Sequence, residues 1–366
     1  MVETRTEEKP YTYYCLEPDM NKNMKQFLNF EKIKEELGKP SIYNNAIVKI
    51  KNEDEQEVKN FLVNHNYYSF SIYKKQLPIR ENSIFDFKDC LEIYEFDSIL
   101  RNNLQKFTGD IENLVKASLI NSLCSHYEGE LQVGECYLDF SIYSNSENAQ
   151  EMIKTFGKRT YSSAQSLPIK HHIKNKEGYL PLWVIVPELT FGETTHFISL
   201  LHEEYRKKWI HDLFLTKEYY AKEVALYPHI ISSATSWIRA GWFIRNRSAH
   251  YGRIYGLPFQ TVPPTFYAPT IRKLKALKLK KKDDNKDLFA FMLSIKQVLL
   301  CHDSIVQHEW DIFIDEIHSK LEGSEILSPD KMGFPDNYCS FLLINEKPIN
   351  EKQSIKLQAC FTWKND

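Results

Sequence analysis

Residues 242–256 read WFIRNRSAHYGRIYG and crowd Arg245, Asn246, Arg247, His250 and Arg253 into one short stretch. Apolar residues precede them at helical spacing (Ile230, Ala234, Trp237, Ile238, Gly241, Ile244). This predicts a helix over 229–250, with Pro228 in its first turn and Gly252 as its stop. Each helical residue turns about 100°, so Asn246 and His250 stand nearly one above the other. Arg247 lies close on the other side of His250. Arg245 sits farther round, on a side chain long enough to wrap back toward the imidazole. One helix end can therefore offer an imidazole, an amide and one or two guanidiniums to a single ligand. Guanidinium forks match phosphate oxygens, and histidine exchanges protons near neutral pH. Together they suit metal-free phosphodiester cleavage, and RNA carries its own nucleophile, the 2′-hydroxyl. A general acid or base contributes about 10²–10⁴-fold, roughly 3–5 kcal/mol of barrier. An arginine–phosphate contact adds about 1.5–3 kcal/mol. The competing reading is structural: Arg and His near a helix C-terminus complement the macrodipole, and on spacing alone this is the commoner situation.

The elements that must position these groups are helical. Over residues 21–40 the apolar positions 24, 27, 28, 30, 33 and 37 mark a helix ending at Gly38 and Pro40. A second short helix follows over 53–68. A third spans 85–107, with Leu91, Tyr94, Leu100 and Leu104 on one stripe. Asp110 looks like the cap of the next helix. Further helices are expected within 193–214 and 286–320, and strand-like alternation is weak except at 182–186. The basic run 271–286 reads as a solvated connection, and the segment after Gly323 as a tail wrapping the helical body. The division is thus an N-terminal extension (1–24), a helical domain (25–322) and a C-terminal tail (323–366). With 366 residues, only 12 glycines and 15 prolines, the chain is large enough for a sizeable core and is neither disordered nor turn-rich all-β. The net charge of −2 rules out a global field for nucleic acid, so any such surface is a local patch.

Seven cysteines (Cys15, Cys90, Cys124, Cys136, Cys301, Cys339, Cys360) form no CxxC pair, and the start MVETRTEEKP lacks an apolar segment. Reduced thiols and a cytoplasmic location are expected. The most apolar run, 179–191, is too short to span a bilayer. His171, His172, His202 and His211 lack ligand spacing, there is no HExxH and no Cys/His set, and no metal or other cofactor is expected.

The quoted stretch resembles the LRNxxAHxGRx segment of the Abi (abortive infection, AbiD/AbiF-like) family, a branch of the HEPN ribonuclease superfamily. The superfamily's RxxxxH signature falls on Arg245 and His250, with Asn246 directly after the arginine, and Gly252 and Arg253 also match. The likeness continues in order along residues 25–340. FLVNHNYYSFSIYKKQL resembles an early NYYRxxxY segment, with Ser69 where arginine is usual. FDFKDCLEIYEFDSILRNNL is similar to FxxxxxLYxFDxxLR through Tyr94, Phe96, Asp97, Leu100 and Arg101. DIENLVKASLINSL resembles IExxxR, with Lys116 for arginine. PLWVIVPELTFG resembles PxWxxxExxxFG, with Pro187 at the glutamate site and Glu188 after it. KMGFPDNY resembles MGFPxxW, with Tyr338 for tryptophan.

The resemblance implies an all-α, HEPN-like helical bundle with helical and loop insertions. It implies a metal-independent endoribonuclease, acting in phage defence or as a toxin, that leaves a 2′,3′-cyclic phosphate. HEPN sites are commonly built where two RxxxxH motifs face each other, and one motif per chain implies a homodimer with a composite site. Some relatives are restrained by a small structured RNA, which makes such an RNA a candidate partner beside the substrate. His250 is the expected proton-transfer group, Arg245 the phosphate clamp, and Asn246 the residue that orients His250 or binds a phosphate oxygen. Arg247 and Arg253 are supporting RNA-binding candidates. Glu112 and Lys116 match an acid-x-x-x-base pair of many HEPN proteins, although an ordinary i,i+4 ion pair explains them equally well. Asp97 and Arg101 read as a structural pair. The aromatic stretch 64–75 could stack bases, with Lys74 and Lys75 on the backbone, and lysines in 273–282 could grip phosphates; core aromatics and a solvated loop are the simpler readings. The rival function is a catalytically silent RNA-binding or scaffold protein of an abortive-infection or toxin–antitoxin system. A third is a nucleotidyl-modified antitoxin partner, which a neighbouring nucleotidyltransferase would favour.

Overall fold

A computed structural model describes residues 27–81, 83–222, 224–259, 263–277 and 285–345. The N-terminal extension, Met24, the end of the lysine run and the last part of the tail lie outside these residues.

Helix α1 (Phe30–Gly38) is capped by the Asn29 side chain, which accepts the Lys32 N–H at 3.0 Å. A short strand β1 (Ile47–Lys49) and helix α2 (Glu55–Asn64) follow. Strand β2 (Ile84–Asp86) pairs with β1 in parallel, with Val48 opposite Phe85. These two strands are the exception to an otherwise helical architecture.

Helix α3 runs unbroken from Phe87 to His126. Its entry is fixed by the Asp89 carboxylate, which accepts the Asp86 N–H at 2.8 Å. The expected break at Asp110 does not occur. Gly109 is the weakest helix former at the join, and one interior glycine costs only about 1 kcal/mol. The buried stripe of Phe96, Leu100, Leu104, Phe107, Ile111, Val115 and Leu119 continues straight through it and outweighs that cost. Tertiary packing therefore makes one rod of two expected helices.

Helices α4 (Ser146–Ser162) and α5 (Leu167–Asn175) lead to a single helical turn at Leu182–Ile185, where strand-like alternation was expected. Helices α6 (Phe191–Leu200) and α7 (Glu203–Ile210) split the 193–214 segment at Leu201 and His202. The start of α6 is set by a reciprocal cap: Thr190 Oγ1 accepts the Glu193 N–H, and Glu193 Oε2 accepts the Thr190 N–H. Glu193 also holds Arg159 of α4 at 2.6 Å.

Helix α8 (Tyr227–Ala249) lies at the centre, against α3 and α10 (Leu288–Leu299). Ile230, Ala234, Trp237, Ile238 and Ile244 are all buried, as their spacing requires. Helix α9 (Ala268–Ala276) occupies the first part of the basic run, so that part is structured: Lys273 donates to the Ser340 carbonyl at 2.7 Å. Helix α11 (Ser304–Glu322) follows α10 after a four-residue break at 300–303. The described tail packs back on these helices, with Trp310 Nε1 donating to the Leu342 carbonyl at 2.8 Å and Lys296 reaching the Phe341 carbonyl. Among the described residues no helix is long and apolar enough to cross a membrane, and the five described cysteines are free thiols.

Candidate active site

The C-terminus of α8 closes in a Schellman motif. The Tyr251 N–H donates to the Ser248 carbonyl at 3.0 Å, and the Gly252 N–H to the Arg247 carbonyl at 2.9 Å. The left-handed residue is therefore Tyr251 (φ +52°), one position before the glycine expected to stop the helix. Gly252 is required for a different reason: a Cβ there would stand 2.5 Å from Arg247 Nε, because the Arg247 side chain lies across it. Arg247 Nε donates to the Arg253 carbonyl at 3.0 Å. Arg253 Nη1 in turn donates to the carbonyls of Tyr255 (2.7 Å) and Gly256 (3.1 Å). Burial holds the Arg253 pKa below the ordinary guanidinium value. Both arginines stitch the loop after the motif to itself.

That loop is fastened to α3 by Asp97, which is fully buried. Asp97 Oδ1 accepts the backbone N–H groups of Ile254 (2.8 Å) and Tyr255 (2.6 Å). Its Oδ2 accepts the Tyr73 hydroxyl at 2.6 Å and the Arg101 guanidinium. Burial and the Asp97 carboxylate push the Tyr73 phenol well above its usual pKa, so it remains a donor. The 64–75 segment is accordingly mostly wall rather than platform. Phe70 and Tyr73 are buried, and Lys74 caps α1 by donating to the Glu36, Leu37 and Lys39 carbonyls. Only Tyr68 of its tyrosines is exposed.

Four turns further along α3, Glu112 forms a second junction. Its Oε1 accepts Lys116 Nζ at 2.8 Å, and its Oε2 stands 3.4 Å from Arg245 Nε. Lys116 Nζ also donates to the Pro187 (3.2 Å) and Leu189 (2.6 Å) carbonyls. At Pro187, the position where the resemblance led to a glutamate being expected, the lysine takes backbone oxygens. Glu112 and Lys116 are both buried. Arg245 keeps 37% of its side chain exposed, and among the described residues its terminal nitrogens meet no protein acceptor. Asn246 is half-buried and His250 exposed, one turn apart on the adjoining face. No hydrogen bond joins Arg245 to His250 within one chain; five residues separate them by about 140° around the helix.

The structure thus gathers Glu112, Lys116 and Arg245 into one cluster, places Asn246 and His250 beside it, and turns Arg247 and Arg253 into loop braces. Sequence reasoning did not find the grip of Asp97 on the loop amides or the strained, 81% exposed Tyr251 next to His250. A polar residue in an otherwise buried α3 stripe was the available signal for the first. Among the described residues no group of three His, Cys, Asp or Glu side chains is arranged to hold a metal ion.

The fold and site thus define an all-α protein in which a buried acid of one long helix, α3, holds Arg245 of α8, with His250 at the end of that same α8. A family model described as Abi-like protein matches residues 60–256, and the chain belongs to that family. The matched span holds both α3 junctions and ends at the loop that Asp97 fastens. Membership associates the protein with abortive infection, a phage-defence response. Neither the curated proteins nor the solved structures compared give a match.

Proposed function

We propose that this protein is a metal-independent endoribonuclease of the HEPN type, acting in phage defence. The observation that carries this reading is the state of Arg245. Glu112 holds it by Nε, its fork is left open, and an exposed imidazole stands at the end of the same helix. In the reaction the 2′-oxygen attacks phosphorus and the 5′-oxygen leaves. The 2′-hydroxyl proton passes to one imidazole, and the 5′-oxygen receives a proton from an imidazolium. The products are a 2′,3′-cyclic phosphate and a 5′-hydroxyl. Arg245 binds the phosphate and stabilises its growing charge, while Asn246 orients His250 or the phosphate oxygens. Glu112 and Lys116 act as positioning residues and do not touch RNA. Because Arg245 and His250 face different sides of α8, a second copy supplies the opposing imidazole of a composite site, in a cytoplasmic homodimer. A small structured RNA occupying the same open fork is the proposed restraint.

The test is cleavage of labelled single-stranded RNA in EDTA. His250→Ala is expected to cut the rate about 10²–10⁴-fold while leaving the melting temperature near that of the parent. The separation of Arg245 from His250 within one chain favours a second reading, a silent RNA-binding protein. Tight RNA binding with no cleavage by the parent dimer would establish that instead.

A further inference from the structure

A groove of about 1240 Å³ runs between α6, α7 and the face of α8 away from α3. It exceeds the roughly 300–1,000 Å³ of a small-ligand pocket. Its α8 wall carries Thr235, Arg239 and Trp242. At three- and four-residue steps the same face continues into Asn246 and His250. Arg239 lies about 10 Å from Asn246 and about 16 Å from His250 along the axis, at 1.5 Å per residue. The groove is therefore in line with the reactive end of the helix, although it does not include it.

Its charges are unequal. His196 is paired with Glu151 at 2.8 Å, and Lys207 with Glu203 at 2.7 Å. Arg206 from α7 and Arg239 from α8 both line the groove, and among the described residues neither has a carboxylate within ion-pair distance. On a chain with net charge −2, two open guanidiniums facing one groove form the kind of local positive patch that a polyanion needs. The half-buried Trp242 indole stands between them and the motif. Gly192 lets it lie flat against α6, where a Cβ would come within 3.0 Å of its Nε1. Free cations beside an aromatic ring are the recognition chemistry of an unpaired nucleic-acid strand.

We propose that this groove holds the single-stranded RNA flanking the scissile bond, with Arg206 and Arg239 on its phosphates and Trp242 against a base. This rests on the ribonuclease reading and extends it to the substrate's path. The experiment measures binding of a labelled single-stranded RNA to the full-length His250→Ala protein across a salt series. Comparison is with the same protein carrying Arg206→Ala and Arg239→Ala. Each lost phosphate contact on a single strand reduces the slope of log K against log salt by about 0.7, so the pair is expected to lower it by about 1.4. Trp242→Ala is expected to weaken binding about tenfold without changing that slope. Circular dichroism and sedimentation report folding and subunit state. An unchanged slope in a folded double variant overturns the proposal. So does loss of the dimer at unchanged slope, which makes the groove a subunit contact. Failure of the His250→Ala parent to bind any RNA, together with failure of the wild-type chain to cleave it, removes the ribonuclease reading itself.

Discussion

Two acidic residues on the same helix, Asp97 and Glu112, each reach across to the end of α8, and they do so in opposite states of completion. Asp97 is sealed: both oxygens are occupied, by two backbone amides on one side and by a phenol and a guanidinium on the other. Glu112 is also buried, but the arginine it holds is left partly in solvent. A buried carboxylate with every partner supplied acts as a fastener, because removing it strands several groups at once. A buried carboxylate whose cationic partner still has free donors is a mount, and what it mounts is available to a ligand. The two acids are separated here by exposure: Arg101 is buried in the core, whereas Arg245 keeps 37% of its side chain in solvent.

Breaking the fastener has the largest expected effect. Asp97→Ala leaves the Arg101 charge and two loop amides unpaired in the core and should lower stability by about 3–5 kcal/mol, read from urea unfolding. If unfolding is unchanged, the two junctions do not differ as described. Glu112→Gln keeps the shape of the mount and removes its charge. Displacement of Arg245 should lower the cleavage rate about a hundredfold, with a much smaller shift in the denaturation midpoint. A stability loss rivalling that of Asp97→Ala would make both residues fasteners. The smallest effect is expected at Tyr251, where a non-glycine residue holds the left-handed conformation. Tyr251→Gly should raise stability by about 0.5–1 kcal/mol, measured as a small rise in Tm. A fall in Tm would show that the ring contributes packing its exposure does not suggest.

The parts legible in the sequence were those with local causes. Helix α8 was readable from its buried spacing and from Pro228, and the all-α class followed from helical periodicity along the chain. The helical spacing put Arg245, Asn246 and His250 at one helix end, where the structure also has them, with Arg245 and His250 on different sides. Two features were not legible because their causes lie far away in sequence, and a third is a one-residue shift in the helix stop. The unbroken α3 depends on a stripe buried against helices yet to come, so Asp110 looked like a cap. The left-handed turn falls on Tyr251 because the helix closes at His250, one residue earlier than Gly252 suggested. Asp97 and Arg101 read as a pair four residues apart, whereas the partners that matter to the loop are 157 and 158 residues away.

That separation has a consequence for the order in which the chain is made and fastened. While the ribosome is still short of residue 254, α3 has been synthesised without the amides that Asp97 holds, and the turn after the motif helix is not yet fastened. The nascent chain therefore carries only the raw parts of a site through most of its translation. The loop after His250 is fastened late, once residues 254 and 255 have emerged and met Asp97.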